Sequence, residues 1–256
     1  MLWALVLLAL IVTELGASGR IESRIARNLV ANAQSEAAAD GAVHETIFHL
    51  SSAGGQALPA DGTAQRLAIA GTPVEVSIED EAGKINPNIA SPDLLRALMV
   101  LLGANPTVAQ TAAQAIAEWR GALPPDQQAA VIARYQAAGL HYQPSFAPFE
   151  SVEDVGLVLG MPPTLATALL PHLSVNQLGI TDPSVADPIV ARAVAQVSGA
   201  QPAPTVPLPT AYRSVTIRAT AQGPGDARFT RRTVVRIGPG LPRGYAVLAW
   251  DAPGAD

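Results

Sequence analysis

"MLWALVLLALIVTEL" (residues 1–15) decides how the rest of this chain is read. It is apolar without a break from Leu2 to Val12, followed by Thr13 and a single acid, Glu14. The run has the length of a signal-peptide core, and Ala17, Ser18 and Gly19 offer small residues for cleavage. No Lys or Arg precedes it, so the positive flank of a signal peptide is missing. As a membrane span the run is short, because a bilayer takes roughly 20 apolar residues as a helix. The residues downstream of it favour a kept anchor. No proline occurs before Pro59. Ile21, Ile25 and Leu29 recur every fourth residue with Arg20, Glu22, Arg24 and Arg27 among them, the spacing of an amphipathic helix. Alanine-rich helix formers then continue to Leu50. The pattern predicts one helix over residues 1–50, about 75 Å long. Leu2, Trp3, Leu5, Val6, Leu7, Leu8, Leu10, Ile11 and Val12 are its membrane anchor. Ile21, Ile25 and Leu29 are the stripe expected to pack on a folded domain. Gly16, Gly19 and Gly41 are its weak points, each costing up to about 1 kcal/mol.

The 256 residues suffice for one large or two small domains with a real core. With 49% hydrophobic and 14% charged residues, the composition is not that of a disordered chain. Cysteine is absent, which excludes disulfides and thiolate metal sites. Aromatic residues make up 4%, too few for a base-stacking platform along a nucleic-acid strand. The net charge of −5 is unevenly spread, with 7 basic and 3 acidic groups in residues 205–256. Those arginines alternate along strand patterns, as a solvated sheet face would place them.

Residues 51–65 are a loop by their Gly, Ser and Pro content. Val74, Val76 and Ile78 alternate with Glu75 and Ser77, the pattern of a half-buried strand, and residues 67–70 offer a partner. Then comes a helical block. Ser91 and Pro92 open one helix as N-cap and first residue, Gly103 stops it, and another begins near Pro106. Residues 151–173 echo the pattern: Ser151 caps, Gly160 stops, and Pro162 and Pro163 precede a further helix. The two helix–Gly–helix units lie about 60 residues apart, too few copies for a solenoid. A weaker helix is expected over residues 183–198. "GAQPAPTVPLPT" is a proline-rich linker. Three strands complete the chain in "YRSVTIRAT", "RFTRRTVVRIG" and "YAVLAW", an antiparallel meander. The expected class is α+β: a long N-terminal helix (1–50), a small antiparallel sheet (51–84 and 205–252), and an all-α insertion (85–204) ending in the linker.

Catalytic and metal motifs are weak. His44 and His49 are five residues apart, about 140° around a helix, too far for one tetrahedral site. Glu79, Asp80 and Glu81 lack the alternate spacing of a calcium loop and read as a solvated turn. Glu150, Glu153 and Asp154 sit where they complement a helix dipole. Lys84 follows a glycine without the rest of a phosphate loop. No nucleophile elbow is present. No cofactor and no metal site is therefore assigned. "INPNIASPDLL" resembles the entry to DNA-binding helix–hairpin–helix modules, which makes a membrane-anchored periplasmic DNA-binding protein the alternative. Residues 81–204 are net −4, however, and the turn "LLGANP" has no base to meet a phosphate. No nucleic acid is expected as partner.

The order of parts resembles the minor pseudopilin K family of type II secretion (general secretion pathway protein K). The carrying stretches are the apolar helix, "VEVSIEDEAGKINPNIAS", "AIAEWRG", "PFESVEDVGLVLGMPPTLATALLPHLSVN" and the closing strands. The resemblance implies a pilin-like helix and sheet with a large α-helical insertion containing helix–hairpin–helix-like units. It implies no enzymatic activity. It also implies single-pass anchorage in the bacterial inner membrane, a periplasmic domain, and a seat at the pseudopilus tip. The implied partners are minor pseudopilins I and J, other pseudopilins and the secretion machinery. In families of this kind, pilin-like precursors begin with a short basic leader ending in Gly, which a prepilin peptidase removes. The family tends to hold calcium in an Asp-rich loop after an Asp-Trp pair. Here Glu118 stands in place of that Asp, and only Asp126 remains of the acidic loop. Pro124 and Pro125 imply a shortened loop that manages without metal.

Overall fold

The computed structural model describes residues 2–51, 58–121, 123–198 and 212–253, with side chains of the first helix described for Trp3 and from Glu22 onward. The chain forms two compact units. The first comprises Met1–Glu79, Thr216–Val235 and Leu241–Asp256, and the second Asp80–Val215 and Arg236–Gly240.

Helix α1 spans Leu2–Ser51, close to the predicted range. Its buried seam is built from Ala31, Ser35, Ala38, Ala39, Ala42, Val43, Thr46 and Ile47. These small residues let the helix backbone come close to its neighbours. At Gly41 a Cβ would stand 2.9 Å from Ile69 Cγ2, so glycine here makes room for the first strand. The buried hydroxyls of Ser35 and Thr46 donate to the carbonyls of Ala31 and Ala42 one turn back, which satisfies them inside an apolar seam.

The structure corrects the expected packing stripe. Ile25 and Leu29 are 54% and 64% exposed, and every residue from Glu22 to Val30 is exposed. The seam starts at Ala31 and, carried back by turns of 3.6 residues, runs through positions 24 and 28 rather than 25 and 29. Ile21 lies outside the described side chains, as do the anchor residues Leu2, Leu5, Val6, Leu7, Leu8, Leu10, Ile11 and Val12. Trp3 is 87% exposed. Among the described residues no helix is long and apolar enough to cross a membrane.

Five strands form one sheet: β1 (Gln65–Ile69), β2 (Thr72–Asp80), β3 (Arg213–Gln222), β4 (Arg228–Ile237) and β5 (Tyr245–Asp251), in spatial order β1-β2-β3-β4-β5. β1 and β2 are antiparallel, pairing Leu67 with Val74 and Arg66 with Glu75. Their two-residue turn has positive φ at both Ala70 (49°) and Gly71 (84°), as a tight hairpin requires. The bond from Arg213 Nε to Asp80 Oδ2 (2.7 Å) sets the start of β3 beside the end of β2, so these strands are antiparallel too. One face of the sheet buries Val74, Val76, Ile78, Ile217, Ala219, Ala221 and Val235.

The second unit holds α2 (Pro92–Leu101), α3 (Pro106–Arg120), α4 (Pro125–Ala137), α5 (Pro163–Leu169) and α6 (Pro188–Ser198). Ser91 Oγ accepts from Leu94 N–H, and Asn105 Oδ1 accepts from Thr107 N–H, so both predicted helix starts carry side-chain caps. Gly103 has φ 92° where α2 ends. The second helix–Gly–helix unit is shorter than its sequence echo implies. Its first half is a single 3-10 segment, Glu153–Leu157, where Ser151 Oγ accepts from Glu153 N–H two residues on rather than from the third residue as Ser91 does. The core joins Leu95, Leu98, Met99, Ile116, Trp119, Tyr135, Phe149 and Leu169.

Candidate functional site: surfaces for assembly

The inserted unit is fastened where its chain enters. Asn88 Nδ2 donates to the Phe149 carbonyl (3.0 Å), and Phe149 N–H donates to Asn88 Oδ1 (2.7 Å). One side chain thus pairs with backbone 61 residues away as a strand would. Asn86 Nδ2 donates to the Gln177 carbonyl, and Ile85 bonds to His172 and Ser174 on either side. Arg120 donates to the carbonyls of Pro87 and Ala90. Burial pulls the Arg120 pKa down. "INPNIAS" therefore reads as a polar staple rather than a phosphate-binding turn. Its amides are spent inside the fold.

Glu118, which stands where the resembling family has its Asp, is held by an arginine. Glu118 Oε2 lies 2.7 Å from Arg134 Nη2 on α4. The carboxylate that the family would place near a metal is neutralised by a guanidinium, and the residues present do not fit a calcium site. The sequence pointed to a loop after Pro125, but Val131 and Tyr135 are buried four residues apart on a helix. Tyr135 is 2% exposed, and its phenol oxygen accepts from Leu159 N–H. Burial pushes its pKa up against that bond.

The histidines separate. His44 Nδ1 is 2.7 Å from the Asp40 carbonyl, while His49 Nε2 is 3.8 Å from Glu45. Among the described residues no group of three or more His, Asp or Glu is placed to hold a metal ion. His172 has a partner that its sequence did not reveal. Its Nδ1 lies 2.7 Å from Asp187 Oδ2, and Asp187 Oδ1 accepts from the N–H groups of Ile189 and Val190 at the start of α6. Burial raises the Asp187 carboxyl, but the His172 bond and the helix N–H groups outweigh it and hold the carboxyl below its usual range. A depressed carboxyl contributes stability that is present above its unfolded pKa and lost as pH falls through the folded value. The unfolding midpoint is therefore expected to drop as pH is lowered from about 5 to about 3. Asp187→Ala should cost about 1 kcal/mol near neutral pH through the lost cap. The same variant should flatten the acid limb, and an acid limb identical to the parent's would contradict this assignment.

Apolar side chains are uncovered in several stretches of the described residues, two of which stand out. One is the exposed stretch of α1 from Glu22 to Val30, with Ile25, Leu29 and Val30 all more than half exposed. The other belongs to the second unit, whose apolar side chains Ile89, Leu178 and Ile180 face solvent. Beside them the polar Asn86, Gln177 and Thr181 are buried.

The sequence model for protein K of the type II secretion system matches residues 75–177. No curated protein matches the chain. A chain in the crystal structure of the GspK–GspI–GspJ complex from enterotoxigenic Escherichia coli is similar to this one, with a TM-score of 0.60 and 16% sequence identity. That alignment covers 93% of this chain and 100% of the other. The shared fold is thus a long helix on a sheet, with the helical block inserted between β2 and β3. The sequence match to protein K of the type II secretion system spans residues 75–177, which include the stapled "INPNIAS" segment, and the solved chain shares the fold over most of this one.

Proposed function

We propose that this chain is a non-enzymatic minor pseudopilin that starts assembly of the type II secretion pseudopilus from its tip. Minor pseudopilins I and J are its partners, and folded proteins are exported across the outer membrane as subunits add below. The observation that carries the reading is α1. Its residues 31–47 hold the folded head, while residues 22–30 project with apolar side chains uncovered. A helix half packed and half bare is built to meet other helices. Residues 2–12 anchor the chain in the inner membrane before assembly, with the head in the periplasm. The mechanism is mechanical, and the chain supplies surfaces rather than chemistry.

The test is the double variant Ile25→Asp/Leu29→Asp. Because both positions are exposed, the stability of the folded head should change by less than about 0.5 kcal/mol. Co-purification with the other pseudopilins from membranes should be lost. Undiminished co-purification would remove the helix from the interface. The DNA-binding alternative finds no support in the α2–α3 turn, where Gly103, Ala104 and Asn105 carry no positive charge.

A further inference from the structure

The hairpin of β3 and β4 carries a cluster of arginines on a chain with net charge −5. Thr220 Oγ1 lies 3.1 Å from Thr230 Oγ1, and Arg236 Nε lies 3.5 Å from Ser214 Oγ. Both pairs fit one antiparallel register, in which Arg218 stands opposite Arg232. Side chains alternate along a strand, so Arg218, Thr220, Arg228, Thr230 and Arg232 share one face. Arg231 points to the other, where it meets Asp40 of α1. Arg218 and Arg228 are exposed and Arg232 is half-buried. Among the described residues none of these three arginines has an ion-pair partner.

Like charges directly opposite each other destabilise a sheet. Folding therefore gives no reason for the Arg218–Arg232 pair, and an external partner does. The basic residues are all arginine, whose planar fork takes carboxylates two bonds at a time. They lie on a flat face with threonine hydroxyls between them rather than converging on a pocket, which suits a row of anions and not a single one. Arg228 and Arg232 are four residues apart, about 13 Å, and Arg218 is about 5 Å across from Arg232. An extended peptide with acids at alternate positions repeats at about 6.7 Å and meets that spacing.

We propose that this Arg/Thr face docks an extended acidic segment of a partner protein. The chain as a whole is acidic and repels such a segment at long range, so binding must come from the local face. The full chain in nonionic detergent is titrated against a fluorescein-labelled peptide of alternating Glu and Thr at low salt, with anisotropy as readout. Arg218→Gln/Arg228→Gln/Arg232→Gln is expected to weaken binding about tenfold or more, and added salt should weaken binding to the parent. The charge-matched control Arg96→Gln/Arg192→Gln/Arg243→Gln, outside both the Arg/Thr face and residues 22–30, should bind like the parent. Equal weakening in both variants, or no binding by the parent, overturns the proposal. Phosphatidylglycerol vesicles and a DNA duplex are run in parallel. If only their binding depends on the three arginines, the face recognises phosphate and the proposal fails. Should the Gln variant misfold by circular dichroism, the triple Arg→Lys variant replaces it. It keeps the charge and removes the forks, and binding as tight as the parent's would then count against carboxylate docking.

Discussion

Trp119→Ala is expected to destabilise the inserted helical unit by about 3–5 kcal/mol, the largest single loss in the molecule. Trp119 is 6% exposed at the end of α3. Its ring stacks on Phe149 with centroids 5.8 Å apart and planes within 7°, and it meets Tyr135 at 6.2 Å. Phe149 is the residue whose backbone Asn88 holds. Trp119 therefore joins three distant stretches: the entry staple, α3 with α4, and the chain leading into the 3-10 segment. Truncation removes apolar burial and leaves a cavity that helices fixed by caps and staples close only in part. Urea unfolding monitored by far-UV circular dichroism measures the loss. Trp119→Phe keeps a ring against Phe149 and should recover most of it. A loss below about 1 kcal/mol for the alanine variant would mean that the aromatic stack is not central to this unit.

Arg231→Ala is expected to cost about 2–3 kcal/mol in the first unit. Arg231 is 7% exposed on β4. Its Nε lies 2.6 Å from Asp40 Oδ1, and its Nη2 lies 3.0 Å from Glu36 Oε1. The guanidinium also stands over the rings of Phe229 and Trp250, at 4.9 and 5.2 Å from their centroids. The hydrogen bond to Asp40 is the main cause that raises its pKa above the ordinary Arg value. A fully buried pair broken on one side costs about 3–5 kcal/mol. Here the side chains of Glu36 and Asp40 are 52% and 31% exposed, so both reach water when the arginine is gone and the cost is smaller. Arg231→Lys keeps the charge but loses the fork and the stacking, and should fall between parent and alanine. A double-mutant cycle with Asp40→Asn isolates the pair, since it removes one carboxylate without removing its shape. Coupling near zero would reduce this clasp to packing alone.

The long helix was legible because it needs only local signals: no proline, few glycines, and alanine-rich turns. The strands were legible from alternation, and the starts of α2 and α3 from Ser91, Asn105 and the prolines after them. What the sequence hid depends on register and distance. In "RFTRRTVVRIG" either Arg231 or Arg232 could point inward, and only strand pairing decides, because a slip of one residue exchanges the faces. The Arg231 clasp joins residues 191 apart. The stripe Ile21, Ile25 and Leu29 drew attention because large apolar residues are conspicuous. The seam that packs is mostly alanine, serine and threonine, joined by Val43 and Ile47, and its small residues let a strand approach. Pro124 and Pro125 read as loop and are in fact the start of α4. The Glu118–Arg134 pair was visible only once α4 existed.

The proposed function holds that this chain assembles with minor pseudopilins I and J. The direct measurement is size-exclusion chromatography with light scattering on residues 22–256, mixed with the soluble domains of minor pseudopilins I and J of the same organism. The expected result is one species whose mass equals a single copy of each. Three separate peaks at high micromolar concentration would leave the fold intact and contradict the assigned role.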